Sequence, residues 1–188
     1  MRSWRAGRSA RRRMAHVVFL RGVNVGGARR FQPSALAREL VHLGAANLGA
    51  AGTFVIRKHL SEAALRAEFA GRLPFTTDLM ICRSAELEKL AATDPFPTTG
   101  LPPDSRRFVS VLARKPRRLP PLPFSYPVGE HWQVQVVGVS GKLAWSLWRR
   151  VGRSFVDPNS VIEKYLGVRA TTRNWNTVVR LCDVLRSS

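Results

Sequence analysis

Short apolar runs and helical spacings of leucine alternate along the chain and predict a fold that mixes strands and helices. The run His16–Leu20 predicts a first strand, and a helix begins at Pro33, whose fixed φ suits a first helical position. Leucines recur on one side of this helix, at Leu36, Leu40 and Leu43. The chain therefore opens with a strand followed by an amphipathic helix.

The next segment predicts a hairpin, a capped helix and another strand. Small residues around Ala51 and Gly52 form a turn before a strand at Thr53–Arg57. Ser61 is placed to cap the helix that follows, because its side-chain oxygen can accept from a free backbone amide. The strand Thr77–Cys82 then leads directly into a further helix.

A stretch rich in proline, threonine and glycine, residues 93–105, predicts a linker. Beyond it the pattern predicts a strand at Arg107–Ala113, a second hairpin with its turn at Ser140 and Gly141, and a helix capped by Asp157. The side of this helix that is predicted to face inward carries Ile162, Tyr165 and Leu166.

The order of these elements repeats about 90 residues further along the chain, which indicates two similar halves. Val17 matches Phe108, the first hairpin turn matches the second, and Arg83-Ser84 matches Arg173-Asn174. The order of strand, helix, hairpin, helix and strand is that of the ferredoxin-like unit, also called split βαβ.

The predicted fold class is therefore α+β, with two tandem ferredoxin-like halves that each have an extra C-terminal helix. The halves are residues 14–92 and 106–188, and residues 1–13 form a basic leader. The second half is degraded, since the proline-rich segment Leu119–Pro127 takes the place of its first helix. We expect that segment to be extended and exposed.

The stretch TTRNWNTVVRL, residues 171–181, crowds polar side chains at the start of the last helix. Asn174 is the simplest cap, since its side-chain oxygen can accept from the free amide of Asn176 or of the next residue. The alternative is an anion site that these amides form together with Arg173. Trp175 is predicted to be buried, on one helix face with Val178, Val179, Cys182 and Leu185.

The loop RGVNVGGARR, residues 21–30, places glycines between a strand and a helix, as phosphate-binding loops do. Its spacing matches neither established phosphate-loop motif, so a glycine turn with solvated arginines is the alternative. Backbone amides here could approach an anion that arginine neutralises. The ligand-binding candidates from this loop and the last helix are Arg21, Asn24, Gly26, Gly27, Arg173, Asn174 and Asn176.

The formal net charge of +19 suggests an anionic partner. Six arginines lie in the leader, so the net charge from Met14 onward is +13. Either Met14 is the true start or the leader is a disordered basic tail. The nucleic-acid candidates are the basic residues near the second half's first strand and near Trp145 and Trp148: Arg106, Arg107, Arg114, Lys115, Arg117, Arg118, Arg149, Arg150 and Arg153. A GC-rich genome that favours arginine is the alternative explanation.

Several classes of chemistry find no support in the sequence. The four histidines and two cysteines show no metal-ligand spacing, and we predict neither metal nor cofactor. No hydrolase motif is present, which leaves enzymatic activity undecided. No apolar run is long enough to span a membrane, and two unpaired cysteines are typical of a cytoplasmic protein.

Five segments resemble the bacterial domain-of-unknown-function family 1697: LRGVNVGG, CRSAELEKL, DPF, EKYLGV and TTRNWNTV. The resemblance runs from about Met14 to Leu185. It implies two ferredoxin-like repeats and no established activity. One departure is the hairpin turn, where Ala50–Thr53 reads AAGT instead of the family's polar Gln-Ser-Gly-Asn, so polar contacts to a ligand at this turn are not implied here.

Three functional hypotheses follow from these observations. The first is a soluble protein that binds an anionic ligand, either nucleic acid or a phosphorylated small molecule. The second is a small-molecule enzyme or sensor with its site between the halves. The third is a protein-interaction module that presents its proline-rich segment to an aromatic groove.

Overall fold

The computed structural model describes residues 15–23 and 31–187. These residues contain nine β-strands in two antiparallel sheets and five α-helices, so the fold is mixed α+β. The chain divides into two compact units. The first unit comprises the described residues up to Glu88 together with residues 181–187, and the second is Lys89–Arg180.

The first unit is a four-stranded sheet with helices. Its strands and helices, in chain order, are β1 (His16–Leu20), α1 (Pro33–Glu39), a 3-10 turn (Val41–Leu43), β2 (Ala45–Leu48), β3 (Thr53–Ile56), α2 (Glu62–Ala70), β4 (Leu79–Arg83) and the start of α3 (Ser84–Thr93). The strand order is β2-β3-β1-β4, and every neighbouring pair is antiparallel.

The core of the first unit lies on one face of this sheet. Val18 on β1 lies opposite Phe54 on β3 and Ile81 on β4. These three side chains belong to one buried cluster with residues of α1 and α2, including Leu36 and Phe69. Burial of this apolar face is what orders the two helices against the sheet.

The second unit is built around a five-stranded sheet. Its elements after the end of α3 are β5 (Arg106–Leu112), β6 (Phe124–Tyr126), β7 (Val134–Ser140), β8 (Leu143–Trp148), α4 (Pro158–Leu166), β9 (Ala170–Asn174) and the start of α5 (Trp175–Arg186). The strand order is β6-β7-β8-β5-β9, again antiparallel throughout.

The second core packs α4 onto one face of this sheet. Val161 and Ile162 of α4 are buried with Val134, Val136 and Ala170 of the strands. On β7 the pairing shifts by one residue between Val136 and Gly138, which lets Trp145 lie over the glycine. A Cβ at Gly138 would fall 2.1 Å from the indole of Trp145, so only glycine allows this packing.

Most sequence predictions of local structure are confirmed. The two hairpins β2-β3 and β7-β8 form as expected. The hydroxyl of Ser61 accepts from the Ala64 amide at 3.1 Å, and the Asp157 carboxylate accepts from the Asn159 amide at 3.2 Å, so both cap their helices. The side-chain oxygen of Asn174 accepts from the Asn176 amide at 2.9 Å, which confirms the predicted cap of α5.

Two helix predictions are wrong in detail. The helix that begins at Pro33 ends at Glu39, and Leu43 is buried from the 3-10 turn that follows. Tyr165 was predicted to face inward but is 36% exposed. Its ring packs beside Phe124 and Tyr126 at the sheet edge, where a tyrosine hydroxyl can stay in water.

Two further predictions need correction. Val179 is only half-buried, and Leu181 is buried in its place, because at about 100° per residue Leu181 lies nearer the centre of the face that Val178, Cys182 and Leu185 form. The segment Leu119–Pro127 is exposed at its beginning, but Phe124–Tyr126 pairs with β7 as an edge strand instead of remaining free. The predicted leader, residues 1–13, lies outside the described residues.

Candidate anion-binding surface

Basic residues are unevenly divided between the two units. The second unit, Lys89–Arg180, holds 15 lysines and arginines and 5 acidic residues, a net charge of +10. The rest of the chain from Met14 onward holds 10 and 7, a net charge of +3. A genomic preference for arginine acts on the whole chain and does not account for this difference. The excess of positive charge therefore belongs to the second unit.

Four of the nine nucleic-acid candidates are committed to contacts within the protein. The guanidinium of Arg107 lies 3.4 Å from the Asp94 carboxylate, and Arg114 donates to the carbonyl of Gly167 at 3.1 Å. Arg149 donates to the carbonyl of Trp132 at 2.8 Å and also to that of Glu130. Arg106 lies over the Trp148 ring, 5.7 Å from its centroid. The guanidinium groups of Arg107, Arg114 and Arg149 therefore contact oxygen acceptors of the chain. The guanidinium of Arg106 contacts an aromatic ring instead.

The other five candidates have no partner within residues 15–23 and 31–187. These exposed side chains make neither a hydrogen bond nor an ion pair there: Lys115, Arg117, Arg118, Arg150 and Arg153. Uncompensated cations on a surface attract anions over a distance of about a Debye length, roughly 8 to 10 Å at moderate salt.

The free cations form two groups at opposite ends of β5. Arg106 at the start of β5 pairs with Trp148 at the end of β8, so the turn after β8 carries Arg150 and Arg153 at that end. Lys115, Arg117 and Arg118 follow the other end of β5. A strand of seven residues rises about 20 Å from its first to its last residue. The two groups are therefore separated by roughly the length of the strand.

Aromatic side chains accompany the first of these groups. Phe155 is 64% exposed and packs beside Trp148, with ring centroids 5.6 Å apart. Trp132 is half-buried and lies under the guanidinium of Arg149, 4.4 Å from its centroid. We call the surface formed by Arg106, Arg150, Arg153 and Phe155 the Arg–aromatic face.

The turn that carries Arg153 and Phe155 is fixed by hydrogen bonds to a buried glutamine. The side-chain amide of Gln133 donates to the Ser154 hydroxyl at 2.7 Å, and its oxygen accepts from the Val156 amide at 3.2 Å. The indole of Trp148 donates to the carbonyl of Val156 at 3.0 Å. A bridge between Val151 and Ser154 closes the turn. Arg153 and Phe155 are therefore presented by an ordered turn.

Trp132 and Phe155, the aromatic residues near these arginines, were not predicted from sequence. Trp145 and Trp148 were predicted there, but Trp148 is buried and Trp145 lies half-buried over Gly138. Phe155 could have been found, because it stands in a short polar loop between Arg153 and Asp157 and belongs to no periodic apolar pattern.

The residues proposed at the last helix are mostly engaged with the chain itself. Arg173 donates to the Thr171 hydroxyl at 2.9 Å and to the Thr172 carbonyl at 3.0 Å. Burial lowers the pKa of this guanidinium to about 10, so it stays charged at neutral pH. Asn174 and Asn176 are exposed, and the Asn176 amide is already occupied by the cap.

The two strand-to-helix junctions also differ by one residue from the predicted match. Helix α3 begins at Ser84 and α5 at Trp175, so Arg83 corresponds to Asn174 and not to Arg173. In the first junction the Arg83 amide donates to the Glu86 carboxylate at 3.0 Å, whereas the second uses the side chain of Asn174. The junctions thus share their position in the chain order but use different caps.

The remaining candidates belong to the first unit. Arg21 is held by its backbone, whose carbonyl accepts from the Thr77 hydroxyl at 2.7 Å, and it lines a cavity of about 150 Å³ with Phe31 and Phe75. Asn24, Gly26 and Gly27 lie outside the described residues. A larger open groove of about 610 Å³ runs along α1 and is lined mainly by apolar side chains with Glu39 and Arg72.

The described ranges contain no group of three side chains able to hold a metal ion. Within those same ranges, none of the helices has the length and apolar character needed to cross a membrane.

Comparisons with known proteins find a matching family model and a solved structure with a similar fold. The family model described as "Protein of unknown function (DUF1697)" matches residues 14–122. No curated protein matches the chain. Among solved structures, conserved bacterial protein SP0830 from Streptococcus pneumoniae is similar, with 18% sequence identity and a TM-score of 0.58. The similarity covers 91% of this chain and 98% of that one, and it concerns the fold alone.

Proposed function

The chain belongs to the DUF1697 family of proteins of unknown function, and we propose that it is a binding protein for a phosphate-bearing anionic ligand. The candidate ligands are nucleic acid and a phosphorylated small molecule. The observation that carries the proposal is the set of five exposed cations of the second unit that make no internal hydrogen bond or ion pair within the described residues.

These five cations make no ion pair with a carboxylate of the described residues. A surface cation that pairs with a neighbouring carboxylate gains up to about 1 kcal/mol and is partly neutralised. The second unit has only 5 acidic residues for its 15 basic ones, so most of its positive charge is not compensated within that unit. Phosphate groups supply that compensation and release counterions from the ligand as they bind.

The separation of the two basic groups favours a polymer over a small molecule. One small phosphorylated ligand does not extend about 20 Å, whereas a nucleic-acid strand presents successive phosphates over that length. A phosphorylated small molecule would use one group alone. Nucleic acid is therefore the preferred ligand class.

We also propose that each unit is a ferredoxin-like repeat, with residues 93–105 as the segment between them. The orders β2-β3-β1-β4 and β7-β8-β5-β9, both antiparallel, support this interpretation, as does the element order of strand, helix, hairpin, helix and strand in the first unit. In the second unit β6 and the irregular chain before it stand where the first unit has α1.

The experiment is a titration of a labelled mixed-sequence oligonucleotide with the chain beginning at Met14, over a range of salt concentrations. We expect binding that weakens linearly with the logarithm of salt concentration. Replacing Arg150 and Arg153 by glutamate should weaken binding at every salt concentration. It should also make the salt dependence shallower by about 1.4, because each phosphate of a single strand that an arginine neutralises adds about 0.7 to the slope.

The matched control changes two exposed cations of the first unit, Arg38 and Lys58, to glutamate. This variant carries the same change in net charge and should bind within about threefold of the unmodified chain. Equal weakening by both pairs would assign the effect to net charge alone and would contradict a site in the second unit. Absence of binding by the unmodified chain at low salt would refute nucleic acid as the ligand.

A further inference from the structure

We propose that Phe155 is a stacking platform for a nucleobase and that the ligand of the Arg–aromatic face is single-stranded nucleic acid. This inference rests on the proposed function, since it specifies which anionic polymer the basic surface binds. It adds an apolar contact that a purely electrostatic site does not contain.

Phe155 is an exposed aromatic residue. A large aromatic side chain that is 64% exposed forgoes most of the free energy that burial would contribute. Its ring packs beside Trp148 at an interplanar angle of 50°, so it has a fixed support. The exposed part of the ring is therefore an apolar surface ready for a flat partner.

The surroundings of Phe155 specify the chemistry of that partner. Arg153 lies two residues before it at the tip of the turn, where Gly152 adopts a φ of +63°. Arg150 precedes the turn, and both arginines lack partners within the described chain. A ligand that brings a flat ring to Phe155 and phosphates to Arg150 and Arg153 matches the repeating unit of a nucleic acid.

The aromatic contact distinguishes single strands from duplexes. Bases within a duplex are stacked on each other and paired, so a surface side chain reaches only the phosphates and the groove edges. Bases of a single strand are free to stack on an aromatic ring, whatever their sequence.

The turn that carries Phe155 is held by hydrogen bonds. Gln133 is buried and holds both Ser154 and Val156, the residues on each side of Phe155. A fixed platform loses little conformational freedom when a base stacks on it, which favours binding. Phe155 thus packs against Trp148, is exposed to solvent and lies in an ordered turn.

The test compares three probes with each variant: a labelled mixed-sequence 12-nucleotide single strand, the duplex of the same sequence, and inorganic polyphosphate. Phe155→Ala should weaken single-strand binding about tenfold or more. Its affinity for the duplex and for polyphosphate should stay within about twofold. Phe155→Trp should restore single-strand binding, because it restores a flat ring.

A control variant replaces a second exposed apolar residue of the same unit, Val128, which is 89% exposed and belongs to no aromatic contact. Val128→Ala should bind all three probes as the unmodified chain does. Thermal unfolding of each variant establishes that Phe155→Ala remains folded at the temperature of the binding assay.

Three results would overturn the inference. If Phe155→Ala binds the single strand as tightly as the unmodified chain, or weakens all three probes equally, Phe155 is no platform. The proposed function would survive either result, provided that salt and the Arg150 and Arg153 changes still weaken binding. If the unmodified chain binds none of the three probes, both the platform and the proposed function are wrong.

Discussion

The two units share an arrangement of four strands and differ in what connects them. In the first unit β1 is followed by helix α1, which supplies Leu36 to the buried cluster. In the second unit the chain after β5 is irregular and proline-rich and ends in the edge strand β6. The segment without a helix carries Lys115, Arg117 and Arg118 on its exposed side. The connection that lacks a helix thus carries part of the charge that has no partner within the described residues.

A second difference lies inside the two sheets. Where β1 meets β4 the facing residues Val18 and Ile81 are apolar. At the corresponding place, where β5 meets β9, the facing residues are Ser110 and Thr172. The same strand pairing therefore accepts an apolar contact in one unit and a hydrogen-bonded pair in the other, which shows that the backbone register and not one residue type defines it.

The largest effect that separates the units is expected from their cores. Phe69 is fully buried in the first unit and packs edge-on against Phe54, with centroids 5.3 Å apart. Phe69→Ala should cost about 3 to 5 kcal/mol of unfolding free energy. The counterpart in the second unit is Ile162→Ala, with an expected cost of about 2 to 5 kcal/mol.

Tryptophan fluorescence tells the two changes apart. In the chain that begins at Met14 every tryptophan lies within Lys89–Arg180. Urea unfolding followed by fluorescence should therefore shift more for Ile162→Ala, and unfolding followed by far-ultraviolet circular dichroism should reveal the destabilisation in Phe69→Ala. Identical transitions by both signals for both variants would show that the chain unfolds as one cooperative unit and would remove this distinction.

Element order was predictable from sequence because periodic apolar positions and caps act locally. Ser61 and Asp157 each stand where a helix must begin, and the structure places a helix after both. Tyr165 was misplaced because its environment comes from Phe124, about 40 residues earlier, whose pairing with β7 no local pattern shows. Helical periodicity alone does not predict the burial of a residue that packs against an edge strand distant in sequence.

Removing a hydroxyl from the Ser110 and Thr172 pair of the second sheet should have an intermediate effect on stability. Thr172 donates to the side-chain oxygen of Asn159 at 2.8 Å and lies 2.7 Å from the Ser110 hydroxyl. Thr172→Val removes the hydroxyl from both interactions and should cost about 1 to 3 kcal/mol, because the buried Ser110 hydroxyl is then left unsatisfied. Urea unfolding measures this decrease in the free energy of unfolding.

A double change tests whether this pair can be made to resemble the first sheet. Ser110→Ala together with Thr172→Val gives an apolar facing pair, as at Val18 and Ile81. We expect the double variant to lose less stability than the two single variants together, by about 0.5 kcal/mol or more, since fewer buried polar groups remain unpaired. Strict additivity would mean that the hydroxyl contact contributes nothing.

The candidate surface was less predictable than the fold, for a reason that Arg149 illustrates. Its charge and position near tryptophans made it a binding candidate, yet its guanidinium is consumed by the carbonyls of Trp132 and Glu130. Arg153 has the same charge and stays free within the described chain. The sequence shows how many cations a region contains, but only the folded structure shows which of them pair with a carbonyl or a carboxylate.

A pH-dependent effect is expected along α5, which begins in the second unit and ends in the first. Burial raises the pKa of the Cys182 thiol from 9.0 to about 11, with Glu88 and Asp183 raising it further and Arg186 opposing them. Between these values the unfolded chain loses this proton while the folded chain keeps it, so stability falls as pH rises from about 9. The thiol should contribute a loss of about 1 kcal/mol between pH 9 and pH 10. Cys182→Ala should lower stability at pH 8 and show a shallower decline above pH 9 in urea unfolding at each pH. Parallel declines for both proteins would mean that the thiol ionises equally in the folded and unfolded chains, and that this end of the helix is open to water.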